Sequence, residues 1–196
     1  MEQAELLPMT AAHSASVLAI QQSIYPPCLH EDVALILERA ALFPPGSLVG
    51  VAAAGRVVLG YCSSYPYPLA DALARPPSLG TVEALAVARA LAEPARACLF
   101  LHEVSVYLQG AGLGSRMVRE LLAVAAARRL CAVVLVSVLG NSAYYQRFGF
   151  EVVRELPSYA CDAAATAAAP PPPPPLPPTP SYHCKEKRAH VMILRL

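Results

Sequence analysis

The segment Val106-Tyr107-Leu108-Gln109-Gly110-Ala111-Gly112-Leu113-Gly114-Ser115 holds the plainest chemical signal in this chain. Its three alternate glycines, Gly110, Gly112 and Gly114, stand between a β-prone run and an amphipathic helical pattern. Glycine lets a backbone turn tightly and bring its N–H groups close to a ligand. The first N–H groups of a helix have no partner of their own, and the helix dipole favours negative charge there. A diphosphate is the natural occupant of such a turn. A strand-to-helix turn that binds nothing is the bland alternative, and a Rossmann dinucleotide site is the other. The latter is weakened by the position of the glycines past the middle of the chain. A Walker phosphate loop is excluded, because no Gly-Lys-Ser/Thr follows.

The elements that must position this loop follow from hydrophobic periodicity. Residues 98–106 are strongly β-prone and deliver the chain into it. Residues 112–130 leave it as a helix, with Leu113, Met117, Leu121 and Val124 on one stripe. Residues 131–138 are almost wholly apolar, as in a strand covered on both faces. A short helix over 141–147 and a strand over 150–153 come next. Upstream, 6–9 reads as a strand, and Thr10 caps a helix over 11–24 that Tyr25-Pro26-Pro27 stops. A second amphipathic helix spans 30–43, and two strands over 48–53 and 56–63 flank a hairpin turn at Ala54-Gly55. Residues 65–96, with five prolines, begin and end as loop around a helix over 81–91. Residues 163–189 form an alanine- and proline-rich flexible insertion, beyond which 190–196 return as the last strand of a single domain over 1–196.

Composition narrows the function. The 196 residues suit one domain with its own core. Basic and acidic side chains number 15 and 14, and their even spread excludes a nucleic-acid footprint. No apolar run approaches the ~20 residues of a membrane helix, and the N-terminus lacks a secretory pattern, so a cytoplasmic protein is expected. The six cysteines show no metal-ligand spacing; Cys62, Cys98 and Cys131 sit in apolar runs as reduced core thiols, and no metal is expected. Glu31 and Asp32 either attract a cationic amine or stand at a solvated helix N-terminus.

The sequence resembles the GNAT N-acetyltransferase superfamily. Its central Gln/Arg-x-x-Gly-x-Gly/Ala motif is matched by Gln109, Gly112 and Gly114. A second family feature, Tyr-x-x-x-Gly-Phe, is matched by Tyr145, Gly149 and Phe150. The link from Val106 to Gln109 is about two residues shorter than is usual in the family. Asn141, Ala143 and Tyr145 also stand closer together than in the family's Asn-x-x-Ala-x-x-x-Tyr. The resemblance implies an α/β GNAT fold: a mixed, mostly antiparallel sheet of six or seven strands flanked by about four helices. It implies acetyl-CoA as co-substrate, held by Val104, Val106, Gln109, Gly110, Ala111, Gly112, Leu113, Gly114, Ser115 and Asn141. Strands 98–106 and 131–138 are expected to splay around the pantetheine arm.

The reaction that this implies is direct attack of a neutral amine on the thioester in a ternary complex. Tyr145 is the candidate acid, a phenol that stays protonated until a thiolate needs its proton. His102 is the first candidate base, tuned near neutrality and, by alternation, on the same strand face as Val106. Glu103, expected on the opposite face, is the second. The acceptor is a small-molecule or peptide amine, its pocket lined by residues 65–96 and the first two helices. A non-catalytic acyl-CoA-binding or regulatory protein is the alternative. A homodimer is compatible with the sequence. An SH3- or WW-type partner for the proline tract is disfavoured against an insertion without a partner.

Overall fold

The chain is described here by a computed structural model covering residues 4–52, 57–77, 83–107, 110–157 and 188–196. Strands β1 (Glu5–Pro8), β2 (Ser47–Val51), β3 (Val58–Pro68), β4 (Ala97–Val106), β5 (Ala132–Ser137), β6 (Glu151–Pro157) and β7 (Arg188–Arg195) form one sheet in the order β1-β2-β3-β4-β5-β7-β6. Only β4 and β5 pair in parallel; every other neighbouring pair is antiparallel. Among the described residues the helices are α1 (Ser14–Ile24), α2 (Val33–Leu42), α3 (Leu69–Ala74), α4 (Ala84–Ala92), α5 (Leu113–Ala127) and α6 (Ser142–Gln146). None is long and apolar enough to cross a membrane.

Two apolar clusters hold helices against the sheet. Val17 and Ile20 of α1 and Ile36 and Ala40 of α2 meet Val49, Val51 and Tyr61. Met117, Leu121 and Ala125 of α5 join Leu99, Leu101, Val133 and Leu135 in the other. Burying one such leucine contributes about 1.5–3 kcal/mol, so the apolar stripe of α5 fixes the pose of the loop before it. Cys62 and Cys98 are buried free thiols, and Cys131 is partly buried.

Two connections matter for the site. Proline holds its preceding residue in extended backbone, and Tyr25, before Pro26, adopts φ −101° and ψ 148° where α1 ends. Asp32 then caps α2, its Oδ1 accepting from the Ala34 amide at 2.9 Å.

The structure moves several predicted boundaries. Pro66 and Pro68 predicted a loop, yet β3 runs through both. β2 covers β3 only as far as Ser47↔Ser63, while Pro66 pairs with Leu99 of β4. β3 there has a partner on one side only, a setting in which sheets accept proline. The last strand begins before the predicted end of the insertion, because Arg188 and Ala189 already belong to β7 and Ala189 is buried. The rest of the predicted insertion, 163–187, and the predicted turn at Ala54-Gly55 lie outside the described residues.

Candidate functional site

The parallel ladder between β4 and β5 runs from Cys98↔Ala132 to Leu101↔Leu135 and stops, although both strands continue. Two hollows lie at this fork. The larger encloses about 480 Å³. Val104 and Val106 of β4 form one wall, and Gly110, Gly112, Leu113, Gly114 and Ser115 bring the amide-rich start of α5 to another. Gly110 and Gly112 take φ of +83° and +78°, a left-handed backbone that side chains disfavour. Gly114 packs so closely that a Cβ there would sit 3.0 Å from the Tyr144 hydroxyl. No acidic residue stands in the first turn of α5, so its free amides and dipole favour an anion. Asn141, Tyr145 and Arg147 close the far side, Asn141 making no side-chain cap bond to α6. Ala111 is exposed and lies off the cleft wall, and Gln109 falls outside the described residues. These features fit a CoA diphosphate and pantetheine arm, with Arg147 as a cation that the sequence reading missed.

The smaller hollow, about 50 Å³, lies against the α1–α2 connection and the ends of β4 and β5. Apolar Leu29, Phe100, Val136 and Val138 share its wall with Glu31, His102 and Glu103. The described residues of 65–96, a segment expected in this pocket, contribute none of that lining. Alternation also fails here. A register shift opposite Ser63/Ser64 inserts His102 into β4 as a bulge, and a bulge turns two successive side chains toward one face. His102 and Glu103 therefore both face the α1–α2 side, while Val104 and Val106 face Gly114 on α5. The prediction that His102 shares the face of Val106 is overturned.

The bulge delivers these residues into a buried charged cluster. Arg39 forks onto Glu31, with Nη1 and Nη2 donating to Oε2 and Oε1 at 2.8 and 2.6 Å. Both side chains are at most 3% exposed. His102 Nε2 lies 2.8 Å from Glu31 Oε2. Burial pushes the Glu31 carboxyl up, but the hydrogen bonds from His102 and Arg39 and the charge of Arg39 outweigh it and hold the group well below the usual carboxylate range. Burial lowers the His102 pKa despite its bond to Glu31. The neutral imidazole thus donates from Nε2, leaving Nδ1 as an acceptor with no partner among the described residues. Gln21 clasps the connection, its side-chain amide bonding the backbone carbonyl and N–H of Glu31. Asp32 caps α2, so of the adjacent acids only Glu31 reaches the cavity.

Glu103 is held differently. Its Oε1 accepts from Tyr61 at 2.5 Å and from Ser105 at 2.8 Å. Burial pushes its carboxyl up to about 7, against the lowering by those two bonds. Burial, then the charge of Glu103, raises the Tyr25 phenol well above its ordinary value, and burial raises Tyr145. Tyr25, Arg39, Tyr61 and Ser105 were missed in the sequence. The one local signal was Tyr25-Pro26-Pro27, which fixes how the chain leaves α1.

The family model described as the acetyltransferase (GNAT) family matches residues 15–150. No curated protein sequence matches the chain. Among solved structures, the loading GNATL domain of CurA from Lyngbya majuscula superposes with a TM-score of 0.68 at 15% identity, over 98% of this chain and 97% of that one. Arabidopsis thaliana Naa50, in complex with the bisubstrate analogue CoA-Ac-MVNAL, gives 0.64 at 11% identity, over 99% of each chain. Mosquito arylalkylamine N-acetyltransferase like 5b gives 0.62 at 15% identity, over 98% of this chain and all of that one. At these identities the likeness is one of fold.

Proposed function

The chain belongs to the GNAT acetyltransferase family, and on that premise we propose that it is an acetyl-CoA-dependent N-acetyltransferase. In this reading it moves an acetyl group to a primary amine by direct attack in a ternary complex. The observation that carries it is the fork between β4 and β5, with an amide-lined cleft at one wall and a buried Glu103 at the other.

The amides of Gly112, Leu113, Gly114 and Ser115 hold the diphosphate, and Arg147 adds positive charge. The sequence match at Gln109 adds that residue to the cradle. β4 loses its β5 partner beyond Leu101, so backbone donors near Val104 and Val106 are available to the thioester carbonyl as charge develops on it. Glu103 is the general base. Oε1 is anchored by Tyr61 and Ser105, Oε2 accepts from no described residue, and a pKa of about 7 suits proton removal near neutrality. His102, locked by Glu31, offers Nδ1 as a hydrogen-bond acceptor that orients the amine. Three phenols line the cofactor cleft, and of these Tyr145 and Tyr25 are the candidates to supply the thiolate's proton, the Tyr144 hydroxyl lying against Gly114.

The acceptor cavity has apolar walls and one carboxylate not already neutralised by Arg39, which suits an amine on an apolar stem, either a small molecule or a peptide N-terminus. The Glu103 carboxyl beside the cofactor cleft favours catalysis over a protein that only binds acyl-CoA. Incubating the protein with acetyl-CoA and a panel of alkyl, arylalkyl and peptide amines, and following free thiol release, tests the proposal. Amine-dependent release is the expected result; CoA binding without release from any amine would favour the binding protein.

A further inference from the structure

Tyr25 is the one described residue on the walls of both hollows. Its hydroxyl lies 3.1 Å from Ser105 Oγ, and Ser105 Oγ lies 2.8 Å from Glu103 Oε1. Ser105 is 1% exposed, so bulk water does not replace it in this chain of contacts. Its single hydroxyl can donate to the carboxylate while accepting from the phenol, or the reverse. The Tyr145 hydroxyl, on the cofactor side, makes no hydrogen bond among the described residues and has no such link to a carboxyl group.

We propose that Tyr25, Ser105 and Glu103 form a proton relay between the acceptor cavity and the cofactor cleft, with Tyr25 as the phenol that protonates the leaving sulfur. The inference rests on the acetyl-transfer reading above. A primary amine enters after losing its ammonium proton to solvent. Its nitrogen bonds to the acetyl carbon, and the carbon–sulfur bond breaks with its electron pair moving to sulfur. Oε2 of Glu103 takes the proton that the nitrogen then sheds. The Glu103 carboxyl turns to bring its protonated oxygen to Ser105, which accepts that proton and passes its own to Tyr25, whose phenolic proton goes to the thiolate. The products are amide and thiol, and the three side chains end with the protons they began with.

The acidities point the same way. Burial raises both Tyr25 and Tyr145, so neither phenol alone readily protonates a thiolate whose acid has a pKa of ~8.5. Protonated Glu103, near 7, is the stronger acid. Tyr25 then conducts a proton that Glu103 supplies.

The test compares Tyr25→Phe, Ser105→Ala, their double variant and Ser105→Thr with the wild type, in steady-state thiol release and in calorimetric CoA binding. The relay predicts that each single variant lowers kcat by about tenfold or more with KM for the amine and Kd for CoA nearly unchanged. The double variant should be no slower than the slower single, because both break one path. Ser105→Thr, which keeps the hydroxyl, should recover most of kcat. Full kcat in Ser105→Ala, multiplicative losses in the double variant, or no recovery in Ser105→Thr would overturn the relay while leaving acetyl transfer standing. A wild-type protein that binds CoA but acetylates no amine would overturn both.

Discussion

The two walls of the fork do their work with different materials. At the α5 wall the functional atoms are backbone amides presented by glycines with φ of +78° and +83°, and the side chains of that wall, Leu113 and Ser115, are small or apolar. At the α1–α2 wall the functional atoms are side chains: Arg39, Glu31, His102, Glu103, Ser105 and Tyr25, buried and bonded to one another. Backbone cradles bind anions of fixed shape and leave no group to titrate. Buried side-chain clusters move protons, at the risk of stranding a charge if one partner is lost. A two-substrate reaction needs both, and the splayed strands bring them together.

Breaking the charged wall should have the largest effect. Arg39→Ala leaves Glu31 buried without its guanidinium, and stability in urea should fall by about 3–5 kcal/mol. A loss below about 1 kcal/mol would mean that the cluster is no better buried than a surface pair.

The two carboxyls on that wall should also respond to pH with opposite signs. Glu31 sits below its ordinary value of 4.5, so its contribution is present above that pH and lost as pH falls. Glu103 sits near 7, above its ordinary 4.5, so its contribution is present below about 4.5 and lost as pH rises through about 7. Thermal melts across this range should show Glu103→Gln more stable than wild type relative to their difference at pH 4, by up to ~3 kcal/mol above pH 7. As a base, Glu103 must be ionised, so kcat at saturating amine should rise about tenfold per pH unit and level off above about 7. A flat profile from pH 5 to 8 would remove Glu103 from that role.

The backbone wall should give the smallest effect of the three. No atom of the described residues lies within 4 Å of a Cβ built at Gly112, so Gly112→Ala acts through its left-handed backbone. That strain is about 1–2 kcal/mol, and CoA affinity should weaken about tenfold by calorimetry. Unchanged affinity would mean that this turn does not hold the diphosphate.

The same contrast explains what could be read from the sequence. The cradle was legible because its demand on the backbone is met by glycines within a few residues, and the apolar stripe of α5 and the continuous run of β5 named the flanking elements. The mixed, mostly antiparallel sheet, here of seven strands, matched the family expectation. The facing of His102 and Glu103 was not legible, since alternation assumes an unbroken pleat and the bulge is set by β3 across the ladder. The charged cluster was hidden for another reason. Glu31 meets His102 across 71 residues and Tyr25 meets Ser105 across 80, and neither contact leaves a local pattern. Glu31 and Asp32 look alike in sequence, yet the cap takes one and the cavity the other.

Glu103→Gln separates the two walls most directly, with CoA titrated calorimetrically into wild type and variant beside turnover measured on the same preparations. The account predicts dissociation constants equal within about twofold and a loss of turnover of about a hundredfold or more. Affinity lost together with turnover, or turnover kept in the variant, would contradict it.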